Sequence, residues 1–102
     1  MTINSNATAR HLLSEAGHLL HGVRWTNALA RDLGIGEKSV RDWHTGVNSS
    51  FTMNHDLWGE ILLLVTDAYT ETISEVHRTR LAALQHEIIK NLPPVASPQH
   101  RT

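Results

Sequence analysis

The sequence contains no cysteine. A disulfide framework, a thiol nucleophile and a zinc site built on thiolates are therefore excluded. No apolar run approaches the roughly 18 residues needed to cross a bilayer, and the first residues lack a basic segment followed by an apolar core. The expected location is the cytoplasm, with no membrane partner. An excess of charge of either sign is also missing: nine Lys and Arg stand against ten Asp and Glu, a formal net charge of -1. Coating nucleic acid without regard to sequence needs many uncompensated cations, so any nucleic-acid contact must come from a local patch. Proline is absent from the body of the chain, its three residues all lying at 93, 94 and 98. No alternating strand pattern, internal repeat or low-complexity tract is present.

What remains is a chain of 102 residues, 40% hydrophobic and 19% charged. That length suits one domain able to bury roughly two-thirds of its unfolded surface. Its apolar residues recur with helical period, so the expected fold is all-α: a bundle of three or four helices followed by a long C-terminal helix. Leu12, Leu13, Ala16, Leu19, Leu20 and Val23 are spaced by three and four, the period of one helix face. With Thr8 as N-cap and Gly22 as stop, a first helix is expected over 8–21. Trp25, Ala28, Leu29 and Leu33 define a short second helix that ends at Gly34. After the turn Gly34-Ile35-Gly36, a third helix runs from Glu37 to Thr45, with Val40 and Trp43 facing inward and Gly46 closing it.

Residues 46–54 read as a polar loop in which Phe51 and Met53 tuck against the core. Asn54 or Asp56 then caps a stretch from Leu57 to Leu92 that holds no proline and only Gly59 among glycines. One helix, or two nearly continuous ones, is expected there. Ile61 to Val65 is apolar nearly all round, and an amphipathic stripe continues far past what a small core covers. A partner chain would cover it, so a homodimer is expected through Leu62, Val65, Tyr69, Ile73, Val76, Leu81, Leu84 and Ile88. The spacing has few clean heptads, which disfavours a long parallel coiled coil. The resulting division is a flexible lead (1–7), a compact domain (8–66), a dimerisation helix (67–92) and a flexible tail (93–102).

The segment from Trp25 to Gly46 carries the chemistry. Ala30 falls where two crossing helices touch, Gly34 at the turn, and Leu29, Leu33, Ile35, Val40 and Trp43 at the positions that lock the second helix over the first. Ala-Leu-Ala-Arg-Asp-Leu-Gly-Ile-Gly-Glu-Lys-Ser-Val-Arg-Asp-Trp at 28–43 resembles the helix-turn-helix of the Cro and phage-repressor class, in particular small regulators carried by phages and mobile elements. The likeness is good over some 22 residues and extends, as helix order only, over about 8–66. It implies a second helix inserted in the major groove of DNA while the preceding one crosses the phosphate backbone.

Helical projection points to the same face. With Val40 and Trp43 inward, Lys38, Arg41, Asp42 and Thr45 lie outward, and Glu37 stands at the helix start. Arg41 is the best base reader, since a guanidinium can hold O6 and N7 of guanine; Lys38 suits guanine or phosphate. Asp42 and Glu37 either accept from cytosine N4 or orient Arg41 and Lys38. Arg24, Trp25, Thr26, Asn27, Ser39, His44, Asn48 and Ser49 are candidate phosphate contacts. Trp25, Trp43 and Trp58 sit on apolar phases and are expected in the core.

Other chemistries find less support. His11, His18 and His21 lie on one helix face, but on the side opposite the apolar stripe and without a clear fourth ligand, so a solvated face is expected and no metal. The serines lack a nucleophile-elbow context and no glycine-rich phosphate loop exists, so no enzyme, cofactor or small-molecule ligand is expected. The expected function is a dimeric, sequence-specific regulator of transcription, most simply a repressor on an inverted-repeat operator. The competing reading is an inhibitor or antitoxin acting through the C-terminal helix.

Overall fold

The first apolar stripe forms helix α1 (Ser5–His21) in a computed structural model that describes residues 5–46 and 51–93. The helix starts ahead of the expected cap, and Thr8 lies within it. It ends as expected: Gly22 adopts φ 81 and its N–H donates to the His18 carbonyl at 2.9 Å. Ala9, Leu12, Leu13 and Ala16 are buried, and Leu19 and Leu20 pack half-buried against them. Val23 leaves the stripe. The left-handed turn at Gly22 takes the chain out of helical phase, and Val23 is 86% exposed.

Helices α2 (Trp25–Leu33) and α3 (Glu37–Thr45) match the expected bounds. Gly34 takes φ 72, which lets the N–H of Ile35 reach back to the Ala30 carbonyl at 3.0 Å and close α2. Leu29 and Ala30 of α2 and Val40 of α3 are buried, while Trp43 is half-buried and stacks on Phe51 with ring centroids 4.9 Å apart. Phe51 and Met53 are buried, as their apolar character required.

Trp25 fixes α2 to α1 through a close approach that periodicity does not reveal. Its indole lies against Gly17, where an added Cβ would come within 2.1 Å of the ring. Gly17 is therefore a packing surface for the tryptophan.

The stretch 57–92 is two helices, α4 (His55–Glu71) and α5 (Glu75–Asn91), folded back on each other. The Asn54 side chain accepts from the Leu57 N–H at 2.8 Å, capping α4. At the break, Thr72 is extended and Ser74 accepts from the His77 N–H at 3.1 Å, capping α5. Arg78 closes the turn, donating to the Thr72 carbonyl at 2.5 Å and pairing with Glu75 at 2.6 Å. Gln85 then donates to the Thr66 hydroxyl at 2.8 Å, joining the antiparallel pair midway.

This hairpin corrects the assignment of the C-terminal stripe. Helix α1 lies centrally, touching α2, α3, α4 and α5, and one core includes residues from all five helices. Val65, Leu81, Leu84 and Ile88, assigned to a dimer interface, are buried in the chain's own core, each at most 5% exposed. A partner cannot reach them without opening the fold. Leu62 and Tyr69 are half-buried against that core, whereas Ile73 and Val76 are exposed at 95% and 66%. The expected division at 66 falls inside α4, and α5 belongs to the same packing unit as α1. The expected flexible lead and tail lie largely outside the described residues. Among the described residues no helix is long and apolar enough to cross a membrane.

Candidate nucleic-acid interface

Helix α3 is held by one edge and open on the other. Val40 is buried and Trp43 stacks on Phe51, so the opposite arc, at about 100° per residue, faces solvent. Lys38, Ser39, Arg41 and Thr45 are exposed there, and Glu37, Asp42 and His44 are half-buried. The arrangement brings Lys38, Arg41, Asp42 and Thr45 onto one surface.

The two acids have partners that narrow their possible roles. Glu37 accepts from the Thr26 hydroxyl at 3.0 Å, a bond that joins the first turn of α3 to the first turn of α2. It orients Thr26, not Arg41 or Lys38. Asp42 accepts from the Lys38 ammonium at 2.9 Å, and the lysine side chain is otherwise 80% exposed. Arg41 forms no ion pair with a described residue. Among the described residues of this arc, its guanidinium is the cation that no acid pairs. The Thr45 hydroxyl donates to the Arg41 carbonyl at 2.9 Å, so its proton is spent on the helix while its oxygen can still accept.

Of the residues expected to touch phosphate, Arg24 and Asn27 are exposed, while Thr26 is half-buried and tied to Glu37. They line an open depression of about 510 Å³ together with Val23, Ala28, Arg31 and Glu37. Arg31 was missed as a site residue. The spacing Asn27, Arg31 would have found it, since a step of four places the two on one face of α2, next to Arg24 at its N-cap.

Trp25 does not fit the phosphate role: its side chain is 3% exposed because it fills the space over Gly17. His44 fits it poorly. Its ring stands edge-on to Trp25 at 5.0 Å, and its Nδ1 is buried without a hydrogen-bond partner. Asn48 and Ser49 lie outside the described residues.

His18 and His21 of α1 each have a partner of their own. His21 pairs with Asp32 at 2.6 Å across α1 and α2, and His18 Nδ1 donates to the Ser14 carbonyl at 2.9 Å. No group of three metal-ligating side chains comes together among the described residues. Comparison with family models, curated proteins and solved structures found no match to this chain.

Proposed function

We propose that the protein is a sequence-specific double-stranded DNA-binding regulator of transcription, in which α2 and α3 form a helix-turn-helix and α3 enters the major groove. The observation that carries this reading is the outward arc of α3. It offers an Arg41 with no ion pair among the described residues, a Lys38 held by Asp42 and the Thr45 oxygen, on a helix anchored by Val40 and Trp43. Arg41 reads guanine, Lys38 and Asp42 together read an adjacent donor and acceptor, and Arg24, Asn27 and Arg31 meet the phosphates. Glu37 and Thr26 keep α2 and α3 in one register on the duplex.

The protein acts as a homodimer on an inverted repeat and represses by occupying the site, the two recognition helices lying in successive major grooves about 34 Å apart. The alternative reading, a partner-binding C-terminal helix, loses its main support, since the apolar face of α5 is covered by α1 and α4.

Selection from random duplexes tests the proposal directly. A palindromic consensus is expected, and Lys38→Ala with Arg41→Ala should abolish binding to it while leaving helicity and size unchanged. Specific binding retained by the folded double variant overturns the assignment of α3, and the absence of any enriched sequence overturns DNA reading altogether.

A further inference from the structure

Arg41 and Thr45 lie near the C-terminal end of α3, so the firmness of that end sets where both stand. The other helices are closed by backbone bonds. Gly22 donates to the His18 carbonyl, Ile35 to Ala30, Thr72 to Ala68 and Leu92 to Ile88. The N–H of Gly46 makes no such bond with a described residue. At this end the Thr45 hydroxyl instead reaches the Arg41 and Asp42 carbonyls, at 2.9 and 3.5 Å.

A cation from another helix meets the same end. The half-buried Arg10 of α1 lays its guanidinium over Gly46, where an added Cβ would come within 3.2 Å of Nη1 and 3.5 Å of Cζ. Gly46 takes φ 87, which turns the chain out of the helix, and its missing side chain leaves the room that the guanidinium occupies. The last carbonyls of a helix carry the negative end of its dipole, so a positive group beside them is favoured.

We propose that Arg10 is a positioning residue for DNA reading: from α1 it holds the C-terminal end of α3, and through it the Arg41 guanidinium and the Thr45 oxygen. The bearing on DNA rests on the reading of α3 given above, whereas the hold on the helix end does not. Val40 and Trp43 anchor one edge of α3 and fix its rotation. Arg10 adds a constraint at the end, which limits how far the last turn frays. A bidentate contact to a base edge depends on that geometry, while the phosphate contacts assigned to Arg24, Asn27 and Arg31 belong to α2 and do not. Arg10 therefore governs discrimination between sequences and leaves general affinity for the duplex unchanged.

Two full-length variants test this role. Arg10→Met removes the charge and keeps an unbranched stem, and Arg10→Lys keeps the charge without the planar guanidinium. Without DNA, amide hydrogen exchange at His44 and Thr45 should be about two- to fivefold faster in Arg10→Met, with α2 and α5 unchanged. On the duplex selected by the wild type, Arg10→Met should bind about tenfold more weakly, with random-duplex affinity and salt slope as in the wild type. Arg10→Lys should recover part of both losses, and it carries the test by itself if Arg10→Met does not fold.

Exchange that is unchanged at His44 and Thr45, or raised equally in every helix, overturns the hold on α3. Faster exchange there with undiminished affinity for the selected duplex overturns its bearing on reading. A salt slope lower by about one makes Arg10 a phosphate contact and overturns the positioning role. A wild type that selects no sequence overturns DNA reading itself, and exchange then decides the hold on α3 alone.

Discussion

The sharpest consequence of the packing concerns two glycines in helices whose replacement by alanine should act in opposite directions. In a helix interior, Gly→Ala ordinarily stabilises by about 0.5–1 kcal/mol through backbone entropy and propensity. Gly59, in α4, has nothing within 4 Å of the position a Cβ would take. Gly59→Ala should therefore raise stability by about that amount. Gly17→Ala gains the same propensity but drives a methyl to 2.1 Å from Trp25 Cε3 and 2.3 Å from Cδ2. Carbon atoms in contact sit about 3.5–4.0 Å apart, so the indole or α1 must move by more than about 1 Å. Trp25 is 3% exposed and touches the rings of His18 and His44, which leaves it little room to yield. Overpacking of this kind costs about 1–3 kcal/mol, and so large an overlap belongs at the upper end. Subtracting the propensity gain leaves a net loss of about 2 kcal/mol, or on the order of 10 °C in Tm for a domain of this size. Urea unfolding of both variants, with unchanged m-values, measures the difference directly. A Gly17→Ala protein as stable as the wild type, or stabilised like Gly59→Ala, would refute the close approach between α1 and Trp25.

Three further outcomes follow from the same geometry. Leu81→Ala should cost about 2–5 kcal/mol in urea unfolding at every protein concentration, because Leu81 is fully buried within one chain; a loss of dimer with unfolding unchanged would return it to an interface. Asn54→Ala and Ser74→Ala should each destabilise by about 1 kcal/mol, since each side chain accepts from an otherwise unpaired N–H of α4 or α5; no change in the urea midpoint would mean that the caps contribute nothing. Asp42→Asn should raise affinity for random-sequence duplex and steepen its salt dependence by about one ion, because Lys38 is released to phosphate; an unchanged salt slope would place Lys38 away from the DNA.

The bounds of α2 and α3 were legible because their ends are written in residues with few alternatives. Gly34 and Gly46 take φ 72 and 87, values at which a side chain is strained, and the apolar positions between them have one consistent phase. The break at 72–74 carried no such mark. Its turn is closed by Thr72, Ser74 and Arg78, polar residues common on any helix surface, within a periodic apolar pattern that proline and glycine do not interrupt. Leu81, Leu84 and Ile88 illustrate a deeper limit. Periodicity identifies the face of a helix that must be covered, but a cover supplied by α1 and α4 has the same signature as one supplied by a partner. Gly17 against Trp25, and Thr26 on Glu37, join residues on different helices, and no local spacing encodes either pair.

Charge balance becomes informative only when it is distributed over the surfaces that carry it. The net of -1 discourages a protein that binds nucleic acid through a general positive field. Yet α3 itself is close to neutral, because Glu37 and Asp42 accompany Lys38 and Arg41. Glu37 is occupied by Thr26 and Asp42 by Lys38, so both acids hold donors in place, and Arg41 is the cation of α3 with no ion pair among the described residues. If α3 reads DNA as proposed, it should bind random duplex weakly, since few counterions are released, and discriminate through hydrogen-bond geometry. Of the other acids, Asp56, Glu60, Asp67 and Glu71 stand exposed on α4, away from α3. Near-neutrality is then what the proposed mode of recognition requires of α3: little net charge on the helix, and one cation whose hydrogen bonds select the partner.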